Sequence, residues 1–129
     1  MDIILARDIS LQFLRAEMLR RIKRYRKHVN PATIVEYSGI IKMSESELKT
    51  FFETLLSKED VDGSNVFSRP ASEIALDIMI VQAHPGHRKL VDDPKFVTSA
   101  TTDLQISEEE LRTYVDFLGE ERQRRFHLA

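Results

Sequence analysis

Cysteine is absent from the 129 residues, and glycine and proline number only four each. Without a thiol there is no disulfide framework, no thiolate zinc site and no cysteine nucleophile. The glycines stand singly, so no glycine-rich loop cradles a phosphate, and no serine nucleophile elbow occurs. Long hydrophobic runs are missing too. The longest apolar-rich stretches, residues 3–6 and 74–83, fall far short of the roughly 18–20 residues of a membrane span. The Met1-Asp2 start lacks the basic region of a signal peptide. No internal repeat or low-complexity tract interrupts the chain. With 42% hydrophobic residues, disorder throughout is excluded. The expectation is one globular domain over residues 1–129, intracellular and cytoplasmic, with no membrane partner and no cofactor.

The net charge of -2 conceals an asymmetry. Residues 1–28 hold eight of the 19 Lys and Arg and three of the 21 acids, which makes that segment +5 and the remainder -7. A basic helical arm (1–29) therefore precedes an acidic helical body (30–129). Arg15, Arg20, Arg21, Lys23, Arg24, Arg26 and Lys27 are the candidate contacts to nucleic acid or to an acidic partner. A solvated charged face is the plainer explanation for the same residues.

Periodicity predicts an all-α bundle of four to six helices. Leu11, Leu14, Met18, Ile22, Tyr25 and Val29 recur at spacings of three and four, one face of a helix over residues 9–29. Residues 2–8 fit either an extension of that helix or a short strand. Asn30-Pro31 stops the long helix and starts a short one, which Gly39 caps or bends before a turn at Lys42-Met43. Ser44 and Glu47 have the spacing of a capping box, followed by the apolar face Leu48, Phe51, Phe52, Leu55 and Leu56. Ser68-Arg69-Pro70 opens a nearly all-apolar stretch over 71–83, whose length favours a buried helix although its β-branched residues also suit a strand. Asp93-Pro94 starts a short helix through Val97, with 98–102 as loop. Ser107 and Glu110 form a second capping box, flanked by the staple pair Ile106 and Leu111. Leu111, Tyr114, Val115 and Leu118 face inward, and Gly119 bends or ends that last helix.

Residues 31–57 resemble a helix-turn-helix. Ser38 supplies the small residue, and Tyr37, Ile41, Met43, Leu48 and Phe51 the packing set. The resemblance implies DNA binding by the second helix, backed by the basic helix 15–28. Two carboxylates at its opening, Glu45 and Glu47, oppose phosphate.

Other constellations are thinner. His84 and His87 flank Pro85-Gly86 in a turn, and a metal site would need further ligands, for which Asp92 and Asp93 are near in sequence; an exposed polar turn is the plainer reading, so no metal site is expected. The loop 60–65 fails the calcium-loop pattern, with Asn65 where Gly belongs. Arg21 and His28 have six residues between them, a separation found in metal-independent helical ribonucleases and easily met by chance in so basic a segment.

The function expected first is therefore a small regulatory or adaptor protein that binds protein partners and is not an enzyme. DNA binding stands second and a metal-independent nuclease third. A helix over 11–29 is about 27 Å long at about 1.5 Å per residue. That length predicts a projecting stripe and a homodimer with Met18, Ile22 and Tyr25 in its interface.

Overall fold

A computed structural model describes the backbone of residues 1–20, 31–56, 67–83 and 85–126; the side chains of residues 18–20, 56 and 85–88 lie outside that description. Every regular element within it is helical, and no strand occurs among the described residues.

Asp2 decides between the two conformations open to residues 2–8. Its carboxylate accepts from the Ile4 amide at 2.9 Å and its carbonyl from Ala6 at 3.0 Å. That is an N-cap, and helix α1 (Ile3–Arg20) runs from it despite two β-branched residues in its first turn. The part of the expected helix beyond Arg20 lies outside the described residues.

Helix α2 (Pro31–Ile41) passes through Gly39, where an added Cβ would meet nothing within 4 Å. The glycine neither caps nor bends it. Termination falls to Lys42, at φ 56°, with the Met43 amide reaching back to the Ser38 carbonyl at 3.1 Å. This is the Schellman arrangement with lysine in the left-handed position usually given to glycine.

Helix α3 (Glu45–Leu56) starts on half a capping box. Ser44 Oγ accepts from the Glu47 amide at 3.2 Å. The Glu47 carboxylate does not return the bond; it accepts from the Ser68 amide at 2.6 Å and hydroxyl at 2.8 Å. Leu48, Phe51, Phe52 and Leu55 are all buried, as their spacing predicts.

Helix α4 (Ala71–Gln82) confirms the helical reading of 71–83, with Pro70 preceding the helix rather than occupying its first turn. It is buried on two sides. Ile74 and Ile78 pack in one apolar cluster with Leu11, Leu14, Phe51 and Leu55. Leu76 and Ile80 pack in a second with Ala6, Ile9, Leu104, Leu111 and Leu118. Helices α1 and α4 lie together and contribute to both clusters. Within the nominally basic arm, residues 6, 9–11 and 14 are thus core.

A 3-10 helix over Pro85–Asp92 leads to α5 (Pro94–Leu104). The expectation of loop over 98–102 was wrong. Asp93 caps the helix by accepting from the Lys95 amide at 3.0 Å, and Phe96, Val97, Ala100 and Leu104 pack on the second cluster. Tertiary burial along that face overrides the weak helix propensity of its threonines, and Thr101 returns its hydroxyl to the Val97 carbonyl at 2.7 Å. The end is again left-handed and non-glycine, at Gln105, φ 53°.

Helix α6 (Glu108–Phe126) opens on a complete capping box. Ser107 Oγ accepts from the Glu110 amide at 3.1 Å, and the Glu110 carboxylate accepts from the Ser107 amide at 3.2 Å. Ile106 and Leu111 join the same cluster, as a staple requires. Gly119 does not end the helix; two further turns follow it. Inside the second cluster, Ser10 and Tyr114 share a hydrogen bond of 2.8 Å, which satisfies a phenol that burial pushes far above its ordinary pKa.

Two outcomes follow from this packing. Phe51→Ala should cost about 3–5 kcal/mol in chemical denaturation, because the ring is fully enclosed. Gln105→Gly should raise stability by about 0.5–1 kcal/mol, since glycine takes the left-handed conformation without a Cβ penalty.

Candidate functional site

Asp77 is the buried charge among the described residues, in the middle of an otherwise apolar helix. Arg69, just ahead of α4, donates to one carboxylate oxygen at 2.8 Å. Arg125, in the last turn of α6, donates to the other at 3.3 Å. The pairing extends both ways. Glu73 lies one turn before Asp77, 3.5 Å from Arg69 and 3.9 Å from Arg7 of α1. Glu121 lies one turn before Arg125, pairs with it, and holds Arg124 at 2.6 Å. Arg7, Glu73, Arg69, Asp77, Arg125, Glu121 and Arg124 thus alternate in sign across three helices. Spacings of four put Glu73 and Asp77 on one face of α4, and Glu121 and Arg125 on one face of α6.

Burial outweighs both guanidinium groups at Asp77, and with Glu73 nearby its carboxyl titrates above the usual range. At Glu121 burial also opposes ionisation, but hydrogen bonds from Arg124 and Arg125 prevail and hold the carboxyl below its ordinary value. Next to this network, Tyr37 of α2 bonds to Gln82 of α4, and burial raises its phenol. Arg122 donates to the Val81 carbonyl, one of the acceptors left over at the end of α4.

The network forms one wall of an open cleft of about 470 Å³ between α1, α2, α4 and α6. Four cations line it, Arg7, Lys42, Arg69 and Arg125, against two acids, Glu73 and Asp77, for a net charge of +2. Ile40, Ile41, Leu76 and Phe126 supply apolar surface. Arg69 and Arg125 are committed to Asp77. Among the described residues Arg7 pairs with Glu73 alone, at 3.9 Å, and its Nε is enclosed without a hydrogen-bond partner. Lys42 is exposed, and its left-handed backbone holds it at the cleft edge. One turn before Arg7, Ile3 and Ile4 are 39% and 63% exposed.

These are not the residues the basic segment suggested. Of the seven predicted contacts, only Arg15 has a described side chain; it is half-buried and already engaged. Arg20 ends α1 with its side chain outside the description, and Arg21, Lys23, Arg24, Arg26 and Lys27 lie outside the described residues altogether. So do Ile22 and Tyr25 of the expected dimer interface, and the side chain of Met18. His28 and His84 lie outside as well, as does the side chain of His87. Among the described residues no group of three or more His, Asp or Glu could hold a metal ion. Nor is any helix there long and apolar enough to cross a membrane. The two helices of the helix-turn-helix resemblance do pack together, with Ile41, Met43, Leu48 and Phe51 in one cluster and Tyr37 against it. At the opening of the second helix Glu45 is exposed, while Glu47 is held by Ser68.

One signal for the cleft was present in the sequence. Arg69, Glu73 and Asp77 stand at intervals of four, a charged line along a helix that is otherwise apolar. No protein-family model, curated protein or solved structure matches this chain.

Removing Asp77 leaves two guanidinium groups facing each other without their carboxylate. Asp77→Ala should cost about 3 kcal/mol in urea denaturation at neutral pH, the low end for a broken buried pair because both arginines keep partial contact with water. The pH dependence has opposite signs at the two acids. The fold favours the proton on Asp77, so its contribution is present below the ordinary aspartate range and lost as pH rises through its raised value. The fold favours ionised Glu121, so its contribution is full above the ordinary glutamate range and lost as pH falls through its lowered value. The stability advantage of the wild type over Glu121→Gln should therefore disappear on acidification, which thermal melts across the acid range will show.

Proposed function

We propose that this protein is a small helical adaptor that acts inside the cell by binding a protein partner, not by catalysis, and that the basic cleft receives an acidic segment of that partner. The observation that carries the reading is that Arg7 and Lys42, two cations with little or no pairing among the described residues, line one cleft, and that the exposed Ile3 and Ile4 lie one turn before Arg7 on α1. Protein interfaces combine apolar anchors with charges that steer and orient the partner. Nucleic acid would use the cations but has little need of the isoleucines.

Affinity capture of the full chain, with and without nuclease treatment, tests this. A partner that survives nuclease and is lost on Lys42→Glu and on Ile4→Asp supports it. Both positions are exposed, so the variants should keep their unfolding midpoint, and each should weaken the purified complex by about tenfold or more. Recovery of nucleic acid alone, or a complex indifferent to both substitutions, would overturn it.

DNA binding is the second reading. It draws on the tight turn at Lys42 and the shared packing of α2 and α3, with the basic residues 15–28 as the backbone contact. It requires the log affinity for duplex to fall against log salt by about 0.9 per phosphate contacted. Charge reversal at Arg24 and Lys27 should flatten that slope. The homodimer through Met18, Ile22 and Tyr25 is likewise a proposal. Sedimentation equilibrium decides it, by a mass of 15.0 kDa or twice that, before and after Ile22→Asp.

A further inference from the structure

Further along α1 from the basic cleft, toward its C-terminal half, lies a second cavity with the opposite character. It occupies about 280 Å³ between α1, the end of α4, α5 and α6. Engineered apolar cavities of roughly 150 Å³ already accept benzene, so there is room here for a ring and a short chain. Its wall is mostly apolar. Three aromatic rings stand in it, Phe13 of α1, Phe96 of α5 and Tyr114 of α6, with Met79 and Ala83 of α4. Phe13 and Phe96 are in contact, their centroids 6.2 Å apart and tilted by 50°.

The polar groups of the wall have mostly been used. Tyr114 shares its hydroxyl with Ser10, and Gln82 bonds to Tyr37. Glu17 is different. It lines this cavity and also the narrow recess beside it, where Asp103 is the other charged residue. Among the described residues Glu17 has no hydrogen bond or ion pair, and no Lys or Arg lines either space. Aromatic faces carry negative potential and attract a cation, most strongly where water is excluded. A carboxylate at the edge of an aromatic wall favours a ligand whose apolar body ends in a positive charge.

We infer that the cavity lined by Phe13, Phe96, Tyr114 and Glu17 binds a small organic ammonium ion, with its apolar body among the rings and its charge against Glu17. A neutral compound of the same shape gains the burial but not the charge pairing. An organic acid meets repulsion from Glu17. The site is separate from the basic cleft and does not depend on the adaptor reading.

Three soluble probes of nearly equal shape test it: 2-phenylethylammonium, 2-phenylethanol and phenylacetate. The full chain, labelled at its methionine methyl groups, reports binding at the site. Met79 lines the cavity, whereas Met43 lies in the other apolar cluster and serves as an internal control. The ammonium ion should move the Met79 resonance at millimolar concentration, leave Met43 in place, and bind about fivefold or more tightly than the alcohol. Phenylacetate should bind most weakly. In Glu17→Gln, a partly exposed position where the fold should be kept, the ammonium ion should fall to within about twofold of the alcohol, while the alcohol itself binds as before. The inference is overturned if no probe moves Met79 at millimolar concentration. It is also overturned if the three bind alike, or if the ammonium preference survives Glu17→Gln.

Discussion

The fold depends on a charge in a place built for apolar residues. Helix α4 must be buried on two sides because α1 presses one cluster against it and helps complete another behind it. A helix in that position is expected to be apolar all round. Asp77 breaks the rule, and the break is tolerable only because each oxygen has a guanidinium partner. Arg69 fixes the chain entering α4, and Arg125 fixes the end of α6. A single carboxylate therefore ties the chain entering α4 to the end of α6. Phe126 packs on both clusters, but apolar contact has no direction and alone would accept several placements of the last turns of α6. Pairing at a buried acid accepts one.

The same arrangement explains why the cleft has its sign. A closed set of pairs would leave no net charge. Here the alternating chain begins and ends on arginine, so it carries one more cation than acids, and Lys42 adds another. Positive surface is the remainder of an internal structural device. One of its cations, Arg7, comes from the basic segment; Lys42, Arg69 and Arg125 come from the acidic body.

Local chemistry was readable where a rule involves neighbours in sequence. The Ser107–Glu110 box, the Ile106–Leu111 staple and the buried face of α3 follow from spacing alone. Helical length settled residues 71–83. The failures share another cause. Residues 98–102 looked like loop because threonine has weak helix propensity, and the face that holds them is defined by α1 and α6. Glu47 was read as the partner of Ser44, but its carboxylate is claimed by Ser68, 21 residues away. Gly39 and Gly119 were given terminating roles that Lys42 and the end of α6 hold instead. Asp77 was absorbed into an apolar run although Arg69 and Glu73 stand at four-residue intervals before it; its other partner, Arg125, is 48 residues distant and shares no local pattern with it. The candidate site was thus only partly visible: the pairs Arg69–Glu73 and Glu121–Arg125 are local, but the Asp77–Arg125 contact that joins them is long-range.

The hydrogen bond between Ser10 and Tyr114 has a consequence for register. Around it, Ala6, Ile9, Leu76, Ile80 and Leu118 form a smooth surface of small and branched side chains. Such surfaces resist separation but are poor at preventing slippage, because apolar attraction has no direction. Displacing α1 by one turn along α6 would keep much of that attraction. It would also strand two hydroxyls in a dry interior, at roughly 1–3 kcal/mol for each. The pair works as a detent. It lies between Arg7 at one end of α1 and Phe13 and Glu17 further along, and so keeps the distance from each of them to the neighbouring helices at a single value.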